Sequence, residues 1–153
     1  MPAGWVITPV LSMRAAYTLP ELLLVLALIG ILLGIALPPL SGALDRIEVA
    51  SAAGQIAAAH SRARLMAVTR SQVMVLSVDA LALEIRRRGF PTPLWSHAGP
   101  AYSRVSVNGP RRTFTFMPEG FSMGLSNATI ELKRGSATRT IIVSRLGRLR
   151  IER

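Results

Sequence analysis

The chain has 153 residues, half of them apolar, with a formal net charge of +10 and no cysteine. This length accommodates one membrane segment and one small domain, and the lack of cysteine excludes disulfides, thiol nucleophiles and thiolate metal sites. Arginine supplies 17 of the 18 basic residues, an excess that favours anionic surfaces, nucleic acid or acidic proteins as partners.

The first informative segment is residues 15–21 (AAYTLPE), which leads into an apolar run. Thr18 and Glu21 have the spacing of a capping box, and Pro20 suits the first turn of a helix that begins near Leu19. A carboxylate at the edge of a membrane core is costly, so Glu21 also calls for a functional explanation. The two roles are compatible.

The apolar run is long enough to cross a membrane. Leu22–Leu44 contains 23 uncharged residues, about 34 Å of helix at 1.5 Å per residue. A bilayer core is about 30 Å thick. Arg14, the charged residue before Glu21, favours a cytoplasmic N-terminus. The sequence therefore predicts a single-pass membrane protein.

Two consecutive prolines interrupt this run. Pro38 cannot donate a hydrogen bond to the carbonyl of Gly34, so a helix break, either a kink or local melting, is expected at Pro38 and Pro39. Alternatively, the prolines mark the point where the chain leaves the membrane.

A second helical stretch is predicted from Leu40 to about Arg70. Apolar and small residues recur there at three- and four-residue spacing, which predicts the face that packs on a globular domain. These residues are Leu40, Leu44, Ile47, Ser51, Gly54, Ala58, Ser61, Leu65 and Val68. Together with the apolar run they predict one long, broken helix from Leu19 to Arg70.

The remainder is predicted to be β-rich. Gln72–Val78 and Leu81–Arg86, joined by Asp79-Ala80, predict a hairpin. Four further segments alternate at period two: Thr113–Met117, Thr129–Lys133, Thr140–Ser144 and Arg148–Ile151. Residues 89–110, rich in Pro, Gly and Ser, are expected to form a loop in which Trp95 either covers the core or anchors a partner. The predicted fold class is α+β, with the long helix packed against an antiparallel β-sheet or small β-sandwich.

Ala16-Tyr17-Thr18-Leu19-Pro20-Glu21 resembles the processing site of type IV prepilins. The resemblance implies a leader of residues 1–16, cleaved between Ala16 and Tyr17 by an inner-membrane prepilin peptidase that then methylates Tyr17. It also implies that Glu21 drives assembly by neutralising the N-terminal amine of a neighbouring subunit, a pairing that offsets the desolvation of both charges. Residues 17–44 would form the transmembrane and assembly helix, 45–71 its periplasmic half, and 72–153 the periplasmic β-rich domain.

The β segments resemble a particular branch of this family. Phe114–Gly120, Thr129–Leu132, Arg139–Ser144 and Gly147–Arg150 are similar to the C-terminal domain of the H-type minor pseudopilins of type II secretion and of FimT-like minor pilins. The resemblance implies an inner-membrane protein without cofactors that joins a pseudopilus near its tip. Its implied partners are other major and minor pseudopilins and the inner-membrane assembly platform.

The alternative function is DNA uptake. Gly147-Arg148-Leu149-Arg150 resembles the DNA-binding G-R-x-R motif of FimT-like minor pilins, which implies that Arg148 and Arg150 contact DNA. On a strand both guanidinium groups would lie on one face, suited to phosphates. A simpler interpretation is that they line a solvated edge strand and discourage edge-to-edge pairing.

Catalysis is not expected. His60 and His97 are far apart in the sequence, and His60, in an alanine-rich helix, is expected to be a packed or half-exposed residue. No glycine-rich phosphate loop follows a predicted strand. We therefore predict no catalytic, metal-binding or cofactor-binding residues.

Overall fold

The computed structural model describes residues 17–123, 127–144 and 147–152. The predicted leader, including Ala16, lies outside these residues. The chain divides into two compact units, Met1–Pro38 and Pro39–Arg153.

One helix, α1, spans Leu19–Arg70 and confirms the predicted long helix. Its first backbone hydrogen bond runs from the amide of Leu22 to the carbonyl of Thr18, at 3.2 Å. It ends where Ser71 adopts a positive φ of 50°. The helical assignment includes Pro38 and Pro39, and the break at these residues stays a prediction.

The strands form two antiparallel sheets, of which the first has the order β3-β2-β1-β5-β6 and the second β4-β7-β8-β9. The first contains β1 (Met74–Val78), β2 (Ala82–Arg87), β3 (Pro93–Ala98), β5 (Arg112–Phe116) and β6 (Ser122–Met123). The second contains β4 (Ser106–Asn108), β7 (Ala128–Arg134), β8 (Ala137–Val143) and β9 (Leu149–Glu152). A 3-10 turn, Pro100–Ser103, precedes β4.

The predicted hairpin and the four later strands are confirmed, with ends shifted by a few residues. The predicted loop at 89–110 was wrong, because it contains β3 and β4. Pro93 begins β3, which is an edge strand, and proline is tolerated at the start of an edge strand. β4 has only three residues, too few to show alternation.

One hydrophobic core lies among α1 and the two sheets. In the first sheet, Leu76 of β1 lies opposite both Ile85 and Phe114, which places three buried side chains in a row. In the second, Ile130 of β7 lies opposite Ile141 of β8, and both are buried. The helix contributes mainly small residues to this core, so the strands supply most of its volume.

The predicted packing face of α1 was wrong. All nine residues of that face from Leu40 to Val68 are exposed. The buried residues of α1 follow the same spacing on another face: Val49, Ala52, Ala53, Ile56, Ala59, His60, Ala63 and Ala67. Two stripes with helical spacing therefore coexist on α1. The sheets pack on the alanine-rich stripe, because its short side chains allow the large side chains of the strands to approach the helix closely.

Candidate assembly helix and basic surfaces

The carboxylate of Glu21 caps the start of α1. Its Oε2 lies 3.5 Å from the backbone nitrogen of Thr18, which is the glutamate half of a capping box. Tyr17, immediately before, is 75% exposed. The capping role expected for Glu21 is therefore present, although the contact is long for a hydrogen bond. The role of Glu21 in assembly stays a prediction.

Across the part of the chain that the structure describes, the apolar first part of α1 is exposed. Every residue from 17 to 36 is exposed. A window of 18 residues in α1 reaches a mean hydropathy of 2.6 with none of it buried. By length and composition this helix can cross a membrane. Such a surface requires lipid or apolar partners, because exposing it to water is unfavourable.

A cluster of charged residues joins α1 to the second sheet. Arg134, at the end of β7, places its Nε 3.0 Å from Oδ1 of Asp45 and its Nη1 3.9 Å from Oε1 of Glu48. The same Nη1 donates a hydrogen bond of 2.7 Å to the carbonyl of Ser103. From the sequence, no role was predicted for Arg134. The feature that could have pointed to it is the pair Asp45 and Glu48, two carboxylates three residues apart on one helix face.

A second cluster neutralises arginines on the first sheet. The Glu84 carboxylate lies 3.3 Å from Nη2 of Arg111 and 3.6 Å from Nη2 of Arg86. Arg86 also donates a hydrogen bond of 3.0 Å to the hydroxyl of Ser77. The positive charge of Arg86-Arg87-Arg88 is thus partly balanced by one carboxylate.

Arg148 and Arg150 lie at the edge of the second sheet. Arg148 is exposed and immediately precedes β9, while Arg150 is within it with a side chain 76% exposed. Nη1 of Arg150 lies 3.6 Å from Oε1 of Glu152, two residues along the same strand. β9 is an edge strand, as the simpler interpretation of these arginines expected. Their binding to DNA stays a prediction.

Gly147, immediately before Arg148, is at a position that only glycine fits without strain. Gly147 has a φ of +73°, and a Cβ at this position would lie 3.0 Å from the Cβ of Ser122. The amide of Ser144 donates to the carbonyl of Arg148 at 2.9 Å, and the amide of Arg148 donates to the Ser144 hydroxyl at 3.2 Å. A residue with a side chain at Gly147 would strain the backbone and crowd Ser122, so glycine sets the position of Arg148.

The two histidines occupy different environments. His60 is 4% exposed, and its ring meets Phe116 edge-on with 4.9 Å between centroids. Burial lowers the pKa of His60, and the neighbouring positive charge of Arg64 lowers it further. This confirms that His60 is a packed helix residue. His97 lies on β3, where the predicted loop was wrong.

Trp95 packs against the core from β3, which confirms the covering role expected for it. Its ring stacks on His97 at a centroid distance of 5.8 Å and an angle of 17°. The guanidinium carbon of Arg62 lies 5.2 Å from the Trp95 ring centroid, a cation–π contact. The contact with Arg62, a residue of α1, fastens the edge strand to the helix. Within the residues that the structure describes, no three His, Asp or Glu residues converge on a possible metal position.

Comparisons with known proteins agree with this architecture. The model of the family described as "Type II transport protein GspH" matches residues 52–147. The chain is 33% identical over 156 residues to the pilin-like protein PilA1 of Thermus thermophilus, with 91% of this chain and 99% of that protein covered.

Solved structures show the same fold. The type IV minor pilin FimU of Pseudomonas aeruginosa superposes with a TM-score of 0.56 at 22% identity, covering 71% of this chain and 90% of that chain. A second crystal form of FimU gives 0.52 at 20% identity, with 67% and 91% covered.

A long amino-terminal helix packed on antiparallel sheets, with an uncovered apolar first part, defines a type IV pilin-like protein. The family model and the PilA1 relative place the chain more narrowly. It belongs to the GspH family of pilin-like minor pseudopilins and minor pilins.

Proposed function

We propose that this protein is a minor pseudopilin of a type II secretion system. It is anchored in the inner membrane by residues 17–44, continues in a periplasmic half-helix at 45–71, and carries its β-rich domain, 72–153, in the periplasm. It joins a pseudopilus near the tip, where filament growth drives export of folded proteins across the outer membrane. The secretion role is supported by the match of residues 52–147 to the family described as "Type II transport protein GspH". The anchoring is supported by the helix that is exposed at every residue from 17 to 36, with one carboxylate in its first turn.

Assembly requires a processed N-terminus. Prepilin peptidase cleaves between Ala16 and Tyr17, which frees a positively charged amine close to Glu21. The same enzyme then methylates the amine of Tyr17. In a filament, the Glu21 carboxylate of one subunit neutralises the amine of the next, because either charge alone would be costly in an apolar bundle. The partners are prepilin peptidase, major and minor pseudopilins and the inner-membrane assembly platform. The chain contributes assembly and contact, and a cytoplasmic partner supplies ATP hydrolysis.

Two measurements test this proposal. Mass spectrometry of the membrane-extracted protein should find a mature chain that begins at methylated Tyr17. The variant Glu21→Gln keeps an oxygen that can accept the 3.5 Å contact from Thr18 but loses the charge, so it separates capping from pairing. It should enter the membrane normally yet fail to cross-link into filaments.

The matched control is Glu119→Gln, which removes an exposed carboxylate from the turn between β5 and β6 and should assemble as wild type. Normal filament incorporation of Glu21→Gln would contradict charge pairing. Recovery of the protein from filaments with an intact leader would contradict processing.

A second candidate function is capture of DNA by a minor pilin. It is favoured by the exposure of both Arg148 and Arg150 at one sheet edge. The name of the PilA1 relative, a pilin-like protein, supports membership of a pilus but not binding of DNA. Opposing it, Arg150 is partly neutralised by Glu152 at 3.6 Å.

A gel-shift titration of the detergent-solubilised full chain at several salt concentrations tests this candidate. Replacing Arg148 and Arg150 with alanine should weaken binding and reduce the salt dependence by about two units of slope, one for each phosphate contact. Arg111→Ala, which removes an arginine paired with Glu84, is the control. Equal binding by the double variant and wild type would count against these contacts.

A further inference from the structure

A groove lies between α1 and the hairpin of β7 and β8. Its volume is about 570 Å³. On the helix side it is bordered by Arg46, Ile47, Val49 and Ala50, and on the hairpin side by residues 136–139. Arg46 is exposed and Arg139 is half-buried, so one guanidinium group comes from each wall.

Among the described residues, Arg46 and Arg139 form no ion pair, although the Asp45 carboxylate lies beside Gly135 at the edge of the groove. Asp45 and Glu48, the two carboxylates of this stretch of α1, contact Arg134 instead. Across residues 17–123, 127–144 and 147–152, no carboxylate oxygen comes within 4.0 Å of either Arg46 or Arg139. Ser136 and Thr138 add exposed hydroxyl groups to the same wall. Two guanidinium groups and two hydroxyls make a set of donors suited to a phosphate group.

The position of the groove along α1 indicates which kind of molecule would supply the phosphate group. Arg46 follows Leu44, the last residue of the uncharged run, by two residues, which is about 3 Å along a helix. Leu40, Leu44 and Ile47 precede or adjoin the groove on α1 and are 56%, 49% and 62% exposed. Because the proposed anchor, residues 17–44, ends at Leu44, Arg46 lies among lipid headgroups, and these apolar side chains face acyl chains.

We propose that this groove binds the phosphodiester headgroup of an anionic phospholipid. Arg46 and Arg139 contact the phosphate oxygens, the hydroxyls of Ser136 and Thr138 donate to the headgroup, and Ile47 lies beside the acyl chains. The site fixes the depth and rotation of the domain at the membrane before assembly. The inference rests on the membrane anchoring in the proposed function but not on filament formation or secretion.

The test uses the full chain, purified in a non-ionic detergent and titrated with phosphatidylglycerol, phosphatidylcholine or inorganic phosphate. Native mass spectrometry counts the retained lipids. Wild type should retain one phosphatidylglycerol in preference to phosphatidylcholine. Arg46→Gln with Arg139→Gln should weaken that retention at least about tenfold, because each basic residue near a membrane surface strengthens the binding of anionic lipid about fivefold, and two of them together roughly thirtyfold.

The matched control is Arg70→Gln with Arg88→Gln. It removes the same charge from two exposed arginines, and Arg70 lies 24 residues further along α1, about 36 Å in a helix. Retention should match wild type. A second variant, Arg46→Lys with Arg139→Lys, keeps the charge but loses the planar fork, and intermediate retention is expected.

Three outcomes would overturn the proposal. The first is a loss of lipid retention in the Arg70→Gln, Arg88→Gln control equal to that in the Arg46→Gln, Arg139→Gln variant. The second is retention of phosphatidylcholine by wild type equal to that of phosphatidylglycerol. The third is displacement of the bound lipid by low-millimolar inorganic phosphate. The first would indicate general charge attraction, and the last a site for free phosphate. Absence of the wild-type chain from the membrane fraction would instead contradict the proposed anchoring, so the two failures are distinguishable.

Discussion

The Nε of Arg134 lies 3.0 Å from Oδ1 of Asp45, and this ion pair fastens β7 to α1. Both side chains are 23% exposed, so the pair is only partly screened by water. Because Arg134 also donates to the carbonyl of Ser103 at 2.7 Å, one side chain connects the helix, the second sheet and the 3-10 turn.

Replacing Arg134 with glutamine should lower the free energy of unfolding by about 1 to 3 kcal/mol, since it removes a charged hydrogen bond and leaves Asp45 without its partner. Urea unfolding of the detergent-solubilised chain, followed by circular dichroism, measures this change. Arg139→Gln, in the neighbouring strand, should change the free energy by less than about 0.5 kcal/mol. Equal effects would mean that the Asp45 pair contributes nothing particular.

The buried face of α1 is tested by enlarging its alanines. Ala63 is 0% exposed, whereas Ala58, on the opposite stripe, is exposed. Ala63→Leu should destabilise the domain by about 1 to 3 kcal/mol through overpacking. Ala58→Leu should leave unfolding nearly unchanged. The reverse order, measured by the same urea titration, would mean that the originally predicted face is the buried one.

Gly99 allows a close approach of two backbones. A Cβ there would clash with the carbonyl oxygen of Ala80 and lie 2.7 Å from the nitrogen of Ala82. Gly99→Ala should therefore destabilise the chain by more than about 1 kcal/mol and lower the yield of folded protein.

Gly54→Ala is the matched change on exposed α1, where an added Cβ meets nothing within 4 Å. It should stabilise by about 0.5 to 1 kcal/mol, because alanine favours helix more than glycine. Thermal unfolding of both variants provides the comparison. A neutral Gly99→Ala would contradict the close packing of residues 80–82 on this turn.

His60 predicts a pH dependence of stability. Its pKa is lowered below the ordinary value of 6.5 by burial and by Arg64, so in mildly acidic solution the unfolded chain binds a proton that the folded chain does not. Stability should therefore fall as the pH drops below about 6.5, until the lowered folded pKa is reached. Unfolding midpoints between pH 7.5 and 5.5 measure this slope.

The variant His60→Leu should flatten that slope, because no titrating group remains at the buried position. His97→Gln, which replaces an exposed ring on β3, should retain it. A slope that survives in His60→Leu would assign the pH dependence to other groups.

Some strands could be recognised from their own segment of sequence, and others could not. The hairpin of β1 and β2 was recognisable because Met74–Val78 and Ala82–Arg87 are β-rich runs joined by a short turn. β3 was not, since Pro93 and the nearby glycines are typical of loops. Its strand structure depends on pairing with β2, where Leu83 lies opposite His97. That pairing is a tertiary contact with no signal in the segment itself.

The basic residues illustrate the same division. From the sequence, Arg134, Arg139 and Arg150 are equivalent members of an arginine excess. In the structure Arg134 contacts Asp45 and Arg150 contacts Glu152, while Arg139 borders a groove. Whether each of these arginines forms an ion pair depends on which carboxylates folding brings close to it. The sequence contains no direct measure of the distances between them.

The amino-acid sequence by itself determined the membrane-length apolar run, the carboxylate of Glu21 at its start and most strands, because these features depend on residues adjacent along the chain. Only the tertiary structure decided which stripe of α1 is buried and which of the described arginines pair with a carboxylate. Two stripes with the same helical spacing compete for burial, and the choice depends on how closely the strands can approach each of them.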